Sequence, residues 1–322
     1  MPLQKLVFKP GINKEVTRYA AENGWYDCDK VRFRFSLPEK IGGWARISGH
    51  TFQGVCRSLW AWVTLTGAKL VGIGTHLKFY IELGGIYYDI TPIRATTTNA
   101  ATFAATDGST TITTTDNGHG AAVGDFVTFS SAVSLGGVIT ATILNAEHQI
   151  VLVPTANTYT FTASIAANSS DSGNGGSATD AAYQVSVGPE AVVPLVGFGA
   201  GTFNTGTFNV GSIASFSLRQ WSQSNFGEDL IFGPRGGAPF YWDATNDVTT
   251  RGVALSSLGG ASNTPTVQNL IFVSDVNRFV FCFGTNTLGT TTQDPLLFRW
   301  SDQEDAANWT PSATRWAGSI WG

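Results

Sequence analysis

The sequence predicts an all-β fold: a β-propeller carrying an inserted small β-sandwich-like module and incomplete at its C-terminal end. Three observations point there. Glycine occurs 37 times in 322 residues and aromatics make up 12%, a composition suited to many short strands joined by tight turns. Charged residues reach only 13%, about half the usual share of a soluble domain, which excludes a disordered chain and a charge-rich coiled coil. Finally, apolar runs broken by a glycine-bearing turn recur along the chain as hairpin-sized units.

The first element is an N-terminal arm, residues 1–48. Residues 1–94 hold 13 Lys/Arg against 7 acids, net +6. Within KVRFRFSLPEK (30–40), Arg32 and Arg34 alternate with Val31, Phe33 and Phe35. Period two makes this an amphipathic edge strand with a basic outer face. Arg32, Arg34 and Lys40 are the candidate interaction residues, placed to dock on an acidic neighbour.

The propeller blades come next, from residues 49–94 and 191–322. LVGIGTHLKFYI (70–81), LIFGPRGGAPFYWD (230–243) and the stretch from FVFCFGTN to PLLFRWSD (279–302) each pair an apolar run with an aromatic one across a turn. Aromatic-bearing strands precede two of them, RSLWAW (57–62) and LRQW (218–221). At roughly 40–50 residues per blade this allows about four, the low end of the range in which propellers close. The chain stops at SIWG straight after a strand-like signal, so the natural polypeptide is expected to continue. An up-and-down barrel or stacked sandwiches fit the same pattern.

Residues 95–190 form the inserted module. No Lys or Arg occurs between residues 95 and 218, and no Trp between Trp62 and Trp221. Two composition tracks that switch together mark an insertion. STTITTT (109–115), GDFVTF (124–129), EHQIVLV (147–153) and NTYTFTA (157–163) are strand-like, and Asp116-Asn117-Gly118, Gly136-Gly137 and Pro154 separate them. NSSDSGNGGS (168–177) has the composition of a flexible exit linker.

Catalytic and metal signals are weak. GIG (72–74) and GFGAG (197–201) are not followed by a helix-like stretch, so they are turn glycines rather than phosphate loops. Asp27-Cys28-Asp29 lacks the regular oxygen series of a calcium loop. The four histidines, His50, His76, His119 and His148, show no ligand spacing, and His119 sits in a turn, NGHG. Glu228/Asp229 and the group Asp302, Glu304 and Asp305 are loop carboxylates, and a glycosidase needs two that face each other. No catalytic, cofactor or metal residue is assigned. Cys28, Cys56 and Cys282 form no CxxC pair or disulfide framework, so a reducing compartment is expected. Lys5, Lys9 and Lys14 interrupt any signal-peptide core, and no apolar run is long enough to span a membrane. Net charge −4 argues against a DNA-gripping domain.

GWYDCDKVRFRFSLPEKIGGW (24–44), YYDITPI (87–93) and DPLLFRWSDQEDAANWTP (294–311) together resemble structural proteins of short-tailed bacteriophages. The nearest family is the tail nozzle, also called the tail hub or packaged-DNA stabilisation protein. The resemblance covers residues 1–94 and about 190–322. It implies a virion protein, made in the host cytoplasm, that assembles as a hexameric propeller ring below the portal and adaptor. Such a ring continues the DNA channel, lets duplex DNA pass without specific binding, helps retain the genome and contacts a needle or fibres. It implies no enzyme activity and no cofactor. The rival expectation is a carbohydrate-binding or carbohydrate-cleaving propeller. The positions of Trp60, Trp62, Trp242, Trp300 and Trp309 separate the two: buried between blades they are core, clustered on an exposed face they suit sugar.

Overall fold

The computed structural model describes residues 8–43, 45–46, 48–135, 137–174, 178–188 and 220–321. The fold is all-β, as expected. The described residues hold 22 strands in five sheets, one four-residue helical turn and one 3-10 turn. The chain divides into two units, residues 1–49 and 50–322.

In the first unit, β1 (Val31–Arg34) and β2 (Leu37–Lys40) form an antiparallel hairpin. Phe35 and Ser36 turn it with φ of 49° and 67°, the left-handed conformation that two-residue hairpin turns require. Val31 and Phe33 are half-buried while Arg32 and Arg34 are exposed, the alternation the sequence predicts. Trp25 packs between Phe8 and Phe33 with centroids 5.9 and 6.4 Å away.

Among its described residues the second unit contains three four-stranded antiparallel meanders, each the size of a propeller blade. Sheet 1 consists of β3 (Cys56–Val63), β4 (Lys69–Thr75), β5 (Phe79–Leu83) and β6 (Ile86–Asp89). Sheet 2 consists of β15 (Trp221–Phe226), β16 (Asp229–Pro234), β17 (Phe240–Trp242) and β18 (Val253–Ala254). Sheet 3 consists of β19 (Leu270–Val273), β20 (Val280–Phe283), β21 (Leu297–Trp300) and β22 (Gly318–Trp321). Every apolar–turn–apolar unit of the sequence becomes a pair of adjacent strands in one of these meanders. Among the described residues the sheets do not close into a ring. Residues 191–219 of the predicted propeller, GFGAG and the first two residues of LRQW included, lie outside the described residues, as does Trp44.

The three sheets stack face to face. Trp62, Leu70, Phe79 and Ile81 of sheet 1 share a core with Trp221, Leu230, Phe232, Phe240 and Trp242 of sheet 2. Phe79 and Phe232 are stacked at 4.3 Å, and Trp62 meets Trp242 edge-on at 6.4 Å. A second core joins Ile231 and Leu255 to Ile271, Val273, Val280 and Cys282 of sheet 3. Neighbouring inner strands are also tied by polar bonds: Ser222 and Ser224 hydroxyls accept from the Ile271 and Val273 amides at 3.0 and 3.2 Å.

GIG at 72–74 is corrected by the fold. Gly72 and Gly74 lie inside β4, not in a turn. A Cβ on Gly74 would come 2.5 Å from the Trp221 ring and from Ser58 Oγ, and one on Gly72 would collide with the Gln223 amide oxygen. These glycines let β15 lie close against sheet 1.

The inserted strands run from β7 (Ile93–Thr97) to β14 (Asp180–Gln184) as one eight-stranded antiparallel sheet. Between them lie β8 (Thr102–Ala105), β9 (Thr111–Thr115), β10 (Phe126–Ser130), β11 (Glu147–Thr155), β12 (Thr158–Thr162) and β13 (Asp171–Asn174), in sheet order β13-β8-β9-β12-β11-β10-β14-β7. The four predicted strands appear as β9 to β12. Register breaks between Ile150 and Thr155 bend β11, and the halves on either side of it face each other. Phe103 of β8 therefore meets Phe129 of β10 at 4.9 Å although four strand steps separate them in the sheet. A core of its own, including Phe103, Ile112, Phe129, Phe161 and Tyr183, fills the space between.

Two boundaries differ from the expectation. The first strand begins at Ile93, not residue 95, because Ile93 pairs with Gln184. The predicted exit linker is partly a strand: Asp171–Asn174 pairs with β8 as an edge strand, while residues 175–177 lie outside the described residues. Low-complexity composition misled here because an edge strand needs backbone pairing on one side only.

Candidate functional site

Arg32 Nε lies 3.1 Å from Glu39 Oε2, its cross-strand partner, with both side chains exposed. The Arg34 guanidinium lies 5.3 Å from the Phe35 ring centroid, and Lys40 is exposed at the end of β2. Arg32 and Arg34 share one face of the hairpin with Glu39, whereas Lys40 lies opposite Val31 on the other face, so the structure does not gather all three on one side. A surface pair like Arg32–Glu39 adds little stability.

Four of the candidate carboxylates, Glu228, Asp229, Asp302 and Asp305, accept hydrogen bonds from backbone amides, and Glu304 lies 4.0 Å from Arg278. Asp229 accepts from the Ala244 amide at 2.8 Å and from the Tyr241 hydroxyl. Burial, then this bond to Asp229, pushes the Tyr241 hydroxyl well above its usual pKa. Asp302 accepts from the Gln303 and Trp316 amides at 3.0 and 2.8 Å, and Asp305 from the Ala307 amide at 2.9 Å. Glu228 accepts from the Leu65 amide and joins the tip of sheet 2 to that of sheet 1. Each is a short polar side chain satisfying loop backbone. Asp27 pairs with Lys14 at 3.1 Å. No group of His, Cys, Asp and Glu among the described residues is arranged to hold a metal. His119 is buried, its Nδ1 accepting from the Ala121 amide at 3.0 Å.

Of the five diagnostic tryptophans, Trp62, Trp242 and Trp309 are buried core residues. Trp62 Nε1 donates to the Glu228 carbonyl at 2.8 Å. Trp300 is half-buried and donates to the Trp316 carbonyl at 2.6 Å. Trp60 is exposed and donates to Asn225 of sheet 2 at 3.2 Å. They do not form one exposed platform.

The strongest polar constellation was not singled out from the sequence. It sits where the inserted sheet meets sheets 1 and 2. Lys78, in the β4–β5 turn, is 3% exposed. Its ammonium lies 2.8 Å from Asp89 Oδ2, contacts Glu147 Oε1, and sits 4.5 Å from the Phe126 ring centroid. Arg251, just before β18, reaches Asp89 at 3.3 Å and Glu147 at 3.5 Å, and donates to the Thr91 carbonyl at 2.6 Å. Gln184 donates to Glu147 from the last residue of β14. Two cations and two anions balance, so the buried charges are paired. At Asp89, burial raises the pKa, but Arg251 and Lys78 outweigh it and hold the carboxyl below its ordinary value.

The one available signal was compositional. A segment free of Lys and Arg that contains a part-buried Glu147 must borrow its cations from outside, and both Lys78 and Arg251 lie outside it. The crossing chains are adjacent as well, with the Val185 amide donating to the Pro92 carbonyl at 3.0 Å. Chemically, the cluster fixes the inserted sheet rather than offering a free nucleophile or base.

No protein-family profile matches the chain. No curated protein matches it either. Among solved structures the chain is similar to the phage phi92 endosialidase at 16% identity with a TM-score of 0.25, over 85% of this chain. The chain spans 40% of that structure's length. A likeness this slight carries no argument about activity.

Proposed function

We propose that the protein is a virion structural protein of the tail nozzle or hub kind, a non-enzymatic component of a phage tail. One observation supports this most directly. The stretch 294–311, which resembles that family, serves here as scaffold. Leu297–Trp300 is a strand, Asp302 and Asp305 cap turns, and Trp309 is fully buried with the Arg299 guanidinium 5.8 Å from its ring centroid. A stretch spent on packing and turn closure suits an assembly part, and rigid sheets stacked through aromatic cores suit a conduit wall. The low charge content suits a channel past which DNA slides without being gripped.

On this reading the protein works as a homo-oligomeric ring of six copies in the tail, with portal, adaptor and needle or fibre proteins as neighbours. The exposed Arg32, Arg34 and Lys40 hairpin is its contact to an acidic neighbour. Negative-stain imaging of disrupted virions labelled with an antibody to this chain tests the reading. Label at the tail below the portal is expected, and label absent from the particles overturns it.

A further inference from the structure

The Asp116-Asn117-Gly118 turn between β9 and β10 carries chemistry that neither the fold nor the tail reading uses. An asparagine followed by glycine can close on itself: the glycine amide nitrogen attacks the asparagine Cγ. A C–N bond forms, the bond from Cγ to the side-chain nitrogen breaks, and ammonia leaves with the proton that the attacking nitrogen gives up through solvent. Water then opens the five-membered imide to aspartate or, with the main chain rerouted through the side chain, to isoaspartate. Glycine favours the closure because no Cβ crowds the attacking nitrogen.

Three Asn-Gly pairs occur in the sequence, at residues 23, 117 and 174, and their surroundings differ. Gly175 lies outside the described residues. The Gly24 amide donates to the Ala21 carbonyl at 3.0 Å, a main-chain bond. Asn117 is exposed, and Gly118 has φ of 67° with open space around the position of a Cβ. Here the attacking nitrogen is held by a side chain: the Gly118 amide donates to Asn157 Oδ1 at 2.9 Å, reaching across to the exposed β11–β12 turn. The Asn157 carbonyl accepts from the Asp116 amide at 2.9 Å, so main-chain bonding keeps residue 157 in place whatever its side chain.

The turn is fastened to buried groups at both ends. Asp116 accepts from the Tyr183 and Thr97 hydroxyls at 2.6 and 2.5 Å, which ties the end of β9 to β14 and β7. His119 packs edge-on against Tyr159 at 4.9 Å, and its carbonyl accepts from Arg94 at 3.1 Å. Isoaspartate at position 117 adds one main-chain atom between these anchors. The longer turn displaces one of them from hydrogen-bond distance.

We propose that Asn117 is a deamidation site of the inserted module, slowed by the hydrogen bond from Gly118 to Asn157, and that its isoaspartate form loosens the module at Asp116 and His119. The inference stands apart from the tail reading and uses none of its residues.

Ageing of the full chain at mildly alkaline pH, read by peptide mass and by isoaspartate content, tests it. Asn157→Ala should convert Asn117 about two- to tenfold faster than the wild type, the weight of one ordinary hydrogen bond. Asn157→Asp keeps an acceptor oxygen at the same place and should stay close to the wild-type rate. A peptide spanning residues 111–121, which lacks Asn157, should convert faster than the folded wild type, a comparison that needs no variant. Hydrogen exchange at the β9, β10 and β14 amides should be faster in the isoaspartate fraction of the aged protein than in its unaltered fraction. Equal rates in wild type and Asn157→Ala, an Asn157→Asp variant as fast as Asn157→Ala, or a peptide no faster than the folded chain would each overturn the shielding. Identical exchange in the two fractions would overturn the loosening.

Discussion

Lys78 lies 2.8 Å from Asp89 with its side chain only 4% exposed, and the same ammonium contacts Glu147 of the inserted sheet. One lysine in a β-turn thereby joins the host meander to an element that begins fifteen residues later, and Arg251 of the next meander completes the set. Charges this buried stabilise only when each has its partner.

Lys78→Ala takes away one of the two cations that Asp89 and Glu147 face and leaves them Arg251. Removing one partner of a buried ion pair costs about 3–5 kcal/mol. Chemical denaturation of the variant should show a correspondingly lower midpoint. An unchanged midpoint would remove the cluster from the stability argument.

Acid should weaken the same contact. The Asp89 carboxyl is held below its ordinary value, so the stability it contributes is present above about pH 3.9, the unfolded carboxylate value. That contribution is lost as pH falls through the folded value. Thermal melting between pH 6 and 2.5 should therefore fall off more steeply in the wild type than in Asp89→Asn, which has already lost the interaction at every pH. Parallel curves would show that Asp89 is not the linked group.

The inserted sheet should be removable. Its end strands pair with each other at Ile93 and Gln184, and the flanking chain is bridged by the Val185–Pro92 bond. Closing the gap with a short Gly/Ser linker adds little loop entropy. A deletion of residues 93–184 should stay folded, since the two cores between sheets 1, 2 and 3 hold no residue of the deleted span. Gel filtration and circular dichroism check this, and aggregation would show that the insert completes the host.

Gly74→Ala should cost about 1–3 kcal/mol, the usual penalty of overpacking. The new methyl group would sit 2.5 Å from Trp221. Tryptophan fluorescence during unfolding reads it, and a neutral effect would mean that β15 shifts freely away from sheet 1.

Free protein should bind duplex DNA weakly and without sequence preference. Net charge is −4, and phosphate neutralisation needs clustered cations. Arg32 is moreover paired with Glu39. Fluorescence anisotropy at physiological salt should show no saturation at micromolar protein. Tight binding with a steep salt dependence would contradict this.

Much of the fold was legible because its signals are local. Alternation in Val31–Arg34, the Thr- and Phe-rich runs of β9 to β12, and the glycine-punctuated hairpins of the three meanders each depend on neighbours in the chain. The loss of Lys, Arg and Trp after residue 94 marked the insertion for the same reason: composition is a property of a contiguous stretch.

What the sequence determined by itself is therefore the strand class, the hairpin units and the presence of an inserted module that carries no Lys or Arg after Arg94. The tertiary structure decided the rest. It made Gly72 and Gly74 spacers rather than turn residues, because only the approach of Trp221 and Gln223 shows what a Cβ would meet. It turned Asp171–Asn174 from linker into strand by bringing β8 alongside. It also assembled Lys78, Asp89, Glu147 and Arg251, which span more than 170 residues of chain. Electrostatic pairing acts through space and leaves no period or spacing in sequence, so that cluster exists only once the sheets have stacked.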